Sequence, residues 1–190
     1  MIALDVAILP PPDISRRAIE LSATLPQHES VGLRLGGDML PHITLTQQFV
    51  PGEEIDTVLD RVGSALAGLV PLRLSVTGAG RGRSSVWMAI DRTPALMELH
   101  RQLMDALHAF ERTSGTETAF FNSDARVGDV EWVAGFRRNS SYEAFTPHIT
   151  LGHAATVPSV EPVTFDGTIV AACHLGRFCT CRRVLRQWKL

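Results

Sequence analysis

The chain contains 190 residues, of which 45% are hydrophobic and 20% are charged. This composition is typical of a folded protein and excludes an intrinsically disordered chain. The 18 basic and 20 acidic residues give a formal net charge of −2, which argues against a protein that binds long duplex nucleic acid. Lys189 is the sole lysine. Catalysis through a lysine amine and a phosphate-binding loop ending in Gly-Lys-Ser/Thr are therefore also excluded.

The apolar and turn-forming residues predict mixed strands and helices, beginning with a buried strand at residues 2–9. Helices are predicted to begin near Asp13, Glu53 and Thr93, which are residue types that favour helix N-termini. The other predicted strands span residues 43–50, 71–77, 85–91, 147–153, 165–171 and 183–190. Because strands and helices alternate only in part, the predicted class is α+β or mixed α/β, and residues 1–190 are predicted to form one domain.

One stretch, residues 113–142, shows little periodicity apart from a short predicted strand at 130–133. An irregular segment of this length is unusual in a compact domain and often covers a functional site. We therefore expect this stretch to lie over the site that the rest of the chain builds.

The N-terminal segment is typical of a strand rather than of a secretion signal, because no basic residues precede its apolar run and Asp5 interrupts that run. No stretch reaches the roughly 18 apolar residues that a membrane-spanning helix needs. The cysteines are odd in number and clustered near the C-terminus, which does not suit a disulfide framework. These features predict a soluble, cytoplasmic protein with no membrane partner.

One pentapeptide, Pro-His-Ile-Thr-Leu, occurs twice, at residues 41–45 and at residues 147–151. Both copies lead into a predicted strand, which indicates two similar half-structures that face each other. Side chains alternate between the faces of a strand, so His42 and Thr44 share one face, as do His148 and Thr150. The intervening isoleucines and leucines then point into an apolar core, and a pseudo-twofold relation brings the four polar side chains to one cleft.

Two histidines and two threonines in one cleft suit phosphodiester chemistry. A neutral imidazole removes a proton from the attacking water or hydroxyl, and an imidazolium protonates the leaving oxygen. Two neighbouring imidazoles titrate as a coupled pair, which favours the singly protonated state that this mechanism needs. The threonine hydroxyls are predicted to donate hydrogen bonds to non-bridging phosphate oxygens. No metal ion or other cofactor is expected.

The two His-x-Thr motifs resemble those of the 2H phosphoesterases, in particular the branch of the 2′-5′ RNA ligases, or RNA 2′,3′-cyclic phosphodiesterases. The order of the other elements is similar as well: IALDVAIL and ISRRAIELSATL at the start, SSVWMAID before a leucine-rich helix, and LRQWKL at the end. The resemblance covers nearly the whole chain.

This resemblance implies a bilobal α+β fold with pseudo-twofold symmetry, in which two small antiparallel sheets face each other across a central cleft and helices pack outside. It also implies metal-independent hydrolysis of the 2′,3′-cyclic phosphate of a nucleotide or RNA end to a 2′-phosphate. His42 and His148 would be the catalytic pair, and Thr44 and Thr150 would bind the phosphate. Two alternatives stay open: joining of RNA ends through a 2′-5′ linkage at the same site, and a non-catalytic nucleotide sensor.

Three residues near the second motif are further candidates for substrate binding. Arg137 suits a phosphate because a guanidinium matches its geometry, and Tyr142 and Phe145 are candidates for stacking on a base. The competing interpretations are an exposed loop position for Arg137 and a core position for Phe145.

Cys179 and Cys181, with Cys173 and His174 nearby, raise the question of a zinc site. Their spacing lacks the C-x₂-C pattern that is common in such sites. We therefore predict no metal site and a monomeric protein that takes a nucleotide or an RNA end as its substrate.

Overall fold

The computed structural model describes residues 1–30 and 32–190, and within them the chain forms eight β-strands and four α-helices. The strands are Ile2–Leu9 (β1), Ile43–Val50 (β2), Leu72–Arg81 (β3), Ser85–Ile90 (β4), His148–His153 (β5), Val163–Gly167 (β6), Ile169–Gly176 (β7) and Thr180–Lys189 (β8). The helices are Pro12–Thr24 (α1), Ile55–Leu66 (α2), Pro94–Leu107 (α3) and Val127–Ser140 (α4). None of the described helices is long and apolar enough to span a membrane.

The strands form two four-stranded antiparallel sheets, with the orders β2-β1-β7-β8 and β5-β4-β3-β6. The prediction of an α+β fold with two small antiparallel sheets is confirmed. Each copy of the pentapeptide leads into an edge strand, β2 in the first sheet and β5 in the second. The two sheets therefore present their repeated motifs in equivalent positions.

A one-residue bulge interrupts each motif strand at the same place. The register of β2 against β1 passes from Thr44 to Thr46 and skips Leu45, and the register of β5 against β4 passes from Thr150 to Gly152 and skips Leu151. A bulge changes which residues share a face beyond it. The fifth residue of the repeat is therefore the bulged residue in both halves.

Helices from opposite halves support these bulges. The carbonyl of Leu45 lies 2.6 Å from Nδ1 of His100 on α3, and the carbonyl of Leu151 accepts a hydrogen bond from Ser22 Oγ on α1 at 2.6 Å. His100 also accepts the backbone N–H of Tyr142 at Nε2, at 2.7 Å. Since α1 follows β1 and α3 follows β4, each helix reaches the motif strand of the other sheet.

A continuous apolar core joins the two sheets. Leu4, Val6 and Ile8 alternate along β1 and pack into the same cluster as the isoleucines and leucines of both motifs. All four of those motif side chains are fully buried, namely Ile43, Leu45, Ile149 and Leu151. Burying the apolar face of each strand leaves its opposite face for polar groups.

The structure corrects the predicted elements in two places. The prediction of an irregular segment at residues 113–142 is wrong for its second half, where α4 occupies Val127–Ser140 and no strand forms at 130–133. The sequence does not predict this helix, because a charged residue, Asp129, lies on its buried face whereas the apolar Val127 and Trp132 are exposed. The predicted strand at 165–171 is two strands, β6 and β7, with a break at Thr168.

Replacing Ser22 with alanine should lower the free energy of unfolding by about 1–3 kcal/mol. The substitution removes the hydroxyl that donates to the Leu151 carbonyl and accepts the Leu35 N–H at 3.0 Å, leaving both buried groups without that partner. Urea denaturation of the variant measures the change.

The matched control is Thr24→Ala on the same helix. Within the described part of the chain, the Thr24 hydroxyl bonds only to the carbonyl of Leu21, at an exposed position, so its loss should change the stability by less than about 0.5 kcal/mol. Equal effects of the two substitutions would contradict the role given to Ser22.

Candidate active site

The two repeated motifs line one cleft of about 630 Å³. Its walls include His42 and Thr44 from the first motif and His148 and Thr150 from the second. Helix α4 and the turn between β7 and β8 also line it. A cleft of this size accommodates a nucleotide-sized ligand.

The two histidines have the same backbone support. Nδ1 of His42 lies 2.7 Å from the carbonyl of Leu40, and Nδ1 of His148 lies 2.7 Å from the carbonyl of Thr146. A carbonyl only accepts hydrogen bonds, so each Nδ1 carries the proton and each Nε2 is left for proton exchange in the cleft. The residue two positions before each histidine thus fixes its tautomer.

The surroundings of His148 favour a neutral imidazole. Burial is the main cause that lowers the pKa of His148 below its ordinary value, and the charge of His42 lowers it further, while the bond to the Thr146 carbonyl acts in the opposite direction. The ring of Trp87 packs beside it, with the ring centroids 4.8 Å apart. Trp87 is therefore a wall of the cleft.

A buried carboxylate lies beneath the first motif. Oδ2 of Asp5 accepts hydrogen bonds from the Thr44 hydroxyl at 2.8 Å and from Nε2 of Gln47 at 2.7 Å, and it lies 3.8 Å from Nε2 of His42. Burial raises the pKa of Asp5, whereas the charge of His42 and these two hydrogen bonds lower it. The indole N–H of Trp132 on α4 donates to Oε1 of Gln47 at 2.9 Å and extends the network to the cleft.

The two threonines are consequently not equivalent. The proton of Thr44 is directed to Asp5. The hydroxyl of Thr150 makes no hydrogen bond with another of the described residues and lines the cleft. Thr150 is therefore the hydroxyl that is free to donate to a ligand.

The sequence analysis did not identify Arg126 and Phe178, which line other walls of the cleft. Arg126 lies 4.0 Å from the ring centroid of Phe178 and forms an ion pair with Asp129. Phe178 stands in the β7–β8 turn with a φ of 65°, an uncommon conformation for a bulky residue. Arg83, at the glycine-rich turn, is exposed on the rim of the cleft and makes no ion pair within the described part of the chain.

Arg137 and Tyr142, two of the predicted substrate-binding residues, lie outside the cleft lining. The guanidinium of Arg137 binds the carboxylate of Glu111, the carbonyl of Met104 at 2.6 Å and the hydroxyl of Tyr142 at 2.7 Å. The Tyr142 hydroxyl in turn donates to Asp105 at 2.7 Å. These contacts occupy both polar groups, so the expected contacts of Arg137 and Tyr142 with substrate are not supported.

Phe145, the third of these residues, has the core position that was the competing interpretation. Its ring is buried and stacks on His100, with the ring centroids 3.9 Å apart and the planes nearly parallel. Part of the residue still lines the cleft. Phe145 therefore packs in the core behind the second motif.

Comparison with known proteins gives the family. The model of the 2′-5′ RNA ligase superfamily matches residues 10–165, which include both motifs. The chain belongs to the 2′-5′ RNA ligase superfamily. No curated protein sequence matches it.

Solved structures agree with this membership at the level of the fold. The chain is similar to LigT from E. coli, in a crystal structure with 3′-AMP, with a TM-score of 0.64 and 22% identity over 99% of this chain and 97% of that one. A crystal structure described as a phosphoesterase matches with a TM-score of 0.65 and 20% identity, covering 100% of this chain and 99% of that chain. TT0787 of Thermus thermophilus matches with a TM-score of 0.62 and 17% identity, covering 100% of this chain and 98% of that chain. The fold of this superfamily member is thus shared over its full length.

The titration of His148 should have a midpoint below pH 6.5, because burial and the charge of His42 both disfavour the imidazolium. Histidine Cε1–H resonances followed by NMR over pH 4–9 measure the midpoint, and the resonance missing from His148→Ala gives the assignment. Changing His42 to alanine removes one of the two causes and should move the midpoint of His148 upward. A midpoint above that of a free histidine peptide would contradict this account.

Proposed function

We propose that this member of the superfamily is a metal-independent phosphodiesterase that opens the 2′,3′-cyclic phosphate of a nucleotide or RNA end to a 2′-phosphate. The observation that carries the proposal is the pair of His-x-Thr motifs on one cleft, with each histidine held in the same tautomer by a backbone carbonyl. The cleft needs both motifs, so we propose that residues 1–190 act as one unit.

The proton transfers follow from the two imidazoles. His148 acts as the general base, because its lowered pKa keeps Nε2 unprotonated near neutral pH. It takes a proton from water while the water oxygen forms a bond to phosphorus. The bond from phosphorus to the 3′ oxygen breaks, and Nε2 of His42 gives its proton to that oxygen. A second turnover requires a proton to return from His148 to His42 through solvent.

Asp5 supports the assignment of His42 as the general acid. The buried carboxylate lies 3.8 Å from Nε2 of His42, and a positive charge on the imidazole offsets part of the cost of burying Asp5. No carboxylate of the described residues lies within 4 Å of the His148 ring nitrogens. The two histidines are thereby suited to opposite roles.

Binding of the phosphate falls to groups that the fold leaves available. The Thr150 hydroxyl is free to donate to a non-bridging oxygen, and Arg83 supplies an exposed positive charge at the rim. Trp87 and the Phe178–Arg126 pair offer flat surfaces for a nucleobase. The crystal structures of E. coli LigT with 3′-AMP and with ATP support a nucleotide as the ligand class.

The joining of RNA ends through a 2′-5′ linkage is the second candidate, and the matched family carries that activity in its description. The same two imidazoles serve both reactions, because a 5′ hydroxyl can take the place of the attacking water. Its oxygen bonds to phosphorus while His148 accepts its proton, and the 3′ oxygen leaves with a proton from His42. Incubation with RNA fragments that end in a 2′,3′-cyclic phosphate and a 5′ hydroxyl separates the two outcomes by gel electrophoresis.

Replacing His42 or His148 with alanine should lower the hydrolysis of a 2′,3′-cyclic nucleotide by about 100- to 10,000-fold, since each substitution removes one proton transfer. Chromatography of the 2′-phosphate product measures the rate, and circular dichroism with thermal denaturation checks that each variant is folded. The control is His108→Ala, because His108 is 72% exposed and lies outside the cleft lining. Unchanged turnover in either active-site variant would refute the proposed mechanism, and tight nucleotide binding without any turnover in the natural protein would favour a sensor.

Hydrolysis should persist at its full rate after exhaustive treatment with EDTA, because the proposed proton transfers and phosphate contacts use only side chains of this chain. The rate is compared before chelation, after chelation and after addition of Mg²⁺ or Mn²⁺. A rate that falls on chelation and returns with either cation would contradict a metal-independent reaction.

A further inference from the structure

Three buried side chains with metal-binding chemistry meet beneath the first motif. Asp5, His42 and Cys181 each offer one donor atom, and these atoms all lie within 4.8 Å of one another. Asp5 and Cys181 are 0% exposed and His42 is 8% exposed. A carboxylate, an imidazole and a thiol together form a donor set that Zn²⁺ favours.

Leu40 holds Cys181 close to His42, because its backbone makes a hydrogen bond with each of these two residues. The N–H of Leu40 donates to the carbonyl of Cys181 at 3.0 Å, and the carbonyl of Leu40 receives Nδ1 of His42 at 2.7 Å. Asp5 stands on the central strand β1, opposite Cys173 on β7. The three donors therefore come from three separate parts of the chain held by main-chain bonds.

Each of the three side chains has a donor atom that is available to a metal ion. With its proton on Nδ1, a neutral His42 presents the lone pair of Nε2, and the bond from Nδ1 to a carbonyl is the usual support of a metal-binding histidine. Among the described residues, Oδ1 of Asp5 has no hydrogen-bond partner although it is buried. The Cys181 thiol takes part in no disulfide.

The charges of this cluster are suited to a cation. Burial raises the pKa of Asp5 and of Cys181, so ionising either group is costly without a neighbouring positive charge. A divalent cation supplies that charge. Nε2 of His42 lies 3.8 Å from Oδ2 of Asp5, close to the separation of about 3.3–3.6 Å between donors around a tetrahedral Zn²⁺, and Oδ1 of the same carboxylate has no partner among the described residues. The donor separations, all within 4.8 Å, have to shorten by at most about 1.5 Å to reach that range.

We propose that Asp5, His42 and Cys181 bind a thiophilic divalent cation such as Zn²⁺ and that the bound ion blocks catalysis. Binding forms bonds from the metal to Nε2 of His42, to a carboxylate oxygen of Asp5 and to Sγ of Cys181. The thiol proton leaves to solvent, as does the Nε2 proton of each His42 that is an imidazolium when the metal binds. No electron is transferred. The fourth position faces the cleft, where His42 is part of the lining.

The inhibitory half of this inference rests on the proposed function. A metal bond to Nε2 occupies the lone pair that His42 needs to carry its proton, so an enzyme with bound metal has no general acid. The binding half depends only on the three donors. Zn²⁺ should therefore act as a reversible inhibitor of an enzyme whose reaction needs no metal.

Binding is tested on the full chain after removal of metals with EDTA and dialysis into chelator-free buffer. Co²⁺ serves as the spectroscopic probe, since a cobalt–thiolate bond gives a charge-transfer band in the near ultraviolet. We expect one equivalent of Co²⁺ to produce this band and one equivalent of Zn²⁺ to remove it. Each metal bound should release the thiol proton of Cys181 and, at a pH where His42 is an imidazolium, a second proton from Nε2. Absence of the band in the natural protein overturns the proposal.

Two matched cysteine variants locate the site. Cys181→Ser should abolish the band and weaken Zn²⁺ binding at least about tenfold in competition with a chromogenic chelator. Cys179→Ser should leave both unchanged, because the Cys179 thiol lies 3.6 Å from the carbonyl of Asp129 and does not belong to the cluster. The reverse pattern overturns the assignment. Should Cys181→Ser fail to fold, Asp5→Asn provides the same comparison through its weaker Zn²⁺ binding.

Activity is measured in parallel, relative to the metal-free rate of each variant. Stoichiometric Zn²⁺ should reduce hydrolysis by the natural protein and by Cys179→Ser, and EDTA should restore it. Binding without inhibition would preserve the metal site and contradict the role of His42 as general acid. Inhibition that Cys181→Ser retains in full would overturn the metal site and leave the proposed function standing.

Discussion

The hydrogen bond from each motif histidine to the carbonyl two residues before it is the contact on which the rest of the site depends. Without it an imidazole exchanges its proton between two nitrogens and rotates about its side-chain bonds. With it, Nδ1 is the donor, and Nε2 of His42 and of His148 is the nitrogen left for the proposed proton transfers. The short irregular stretch before each motif strand therefore has a clear purpose, because it is there that the backbone turns its carbonyl toward the ring.

The symmetry of the two halves ends at the polar groups beside each histidine. The first half has the buried carboxylate of Asp5, which binds Thr44 and stands near His42. In the second half Ala89 is the β4 residue opposite His148, and the aromatic ring of Trp87 packs against the imidazole. A carboxylate on one side and an indole on the other create different electrostatic environments for two identical tripeptides. This difference supports the proposed assignment of one histidine as the proton donor and the other as the proton acceptor.

The sequence alone predicts the elements that depend on simple periodicity. The repeated pentapeptide, the alternation of Ile43 and Leu45 into the core, and the cap at Thr93, whose side chain accepts the N–H of Leu96, are all read directly from local pattern. Helix α4 is not predicted because its buried face combines the ion-paired Asp129 with Val133 and Phe136, while other apolar residues of the helix are exposed. Arg126 and Phe178 are not predicted because they meet only after two distant segments fold together.

Gln47 shows a further limit of sequence reasoning. Three positions separate it from Thr44, so regular alternation places the two on opposite faces, yet both bind the same oxygen of Asp5. The extra residue at Leu45 is what returns Gln47 to the side of the carboxylate. If the His-x-Thr tripeptide were placed in another sheet without the bulged leucine, the hydrogen bond from the glutamine to the buried carboxylate would be lost. The structural motif that keeps its polar contacts is therefore the His-x-Thr tripeptide together with the β-bulge that follows it.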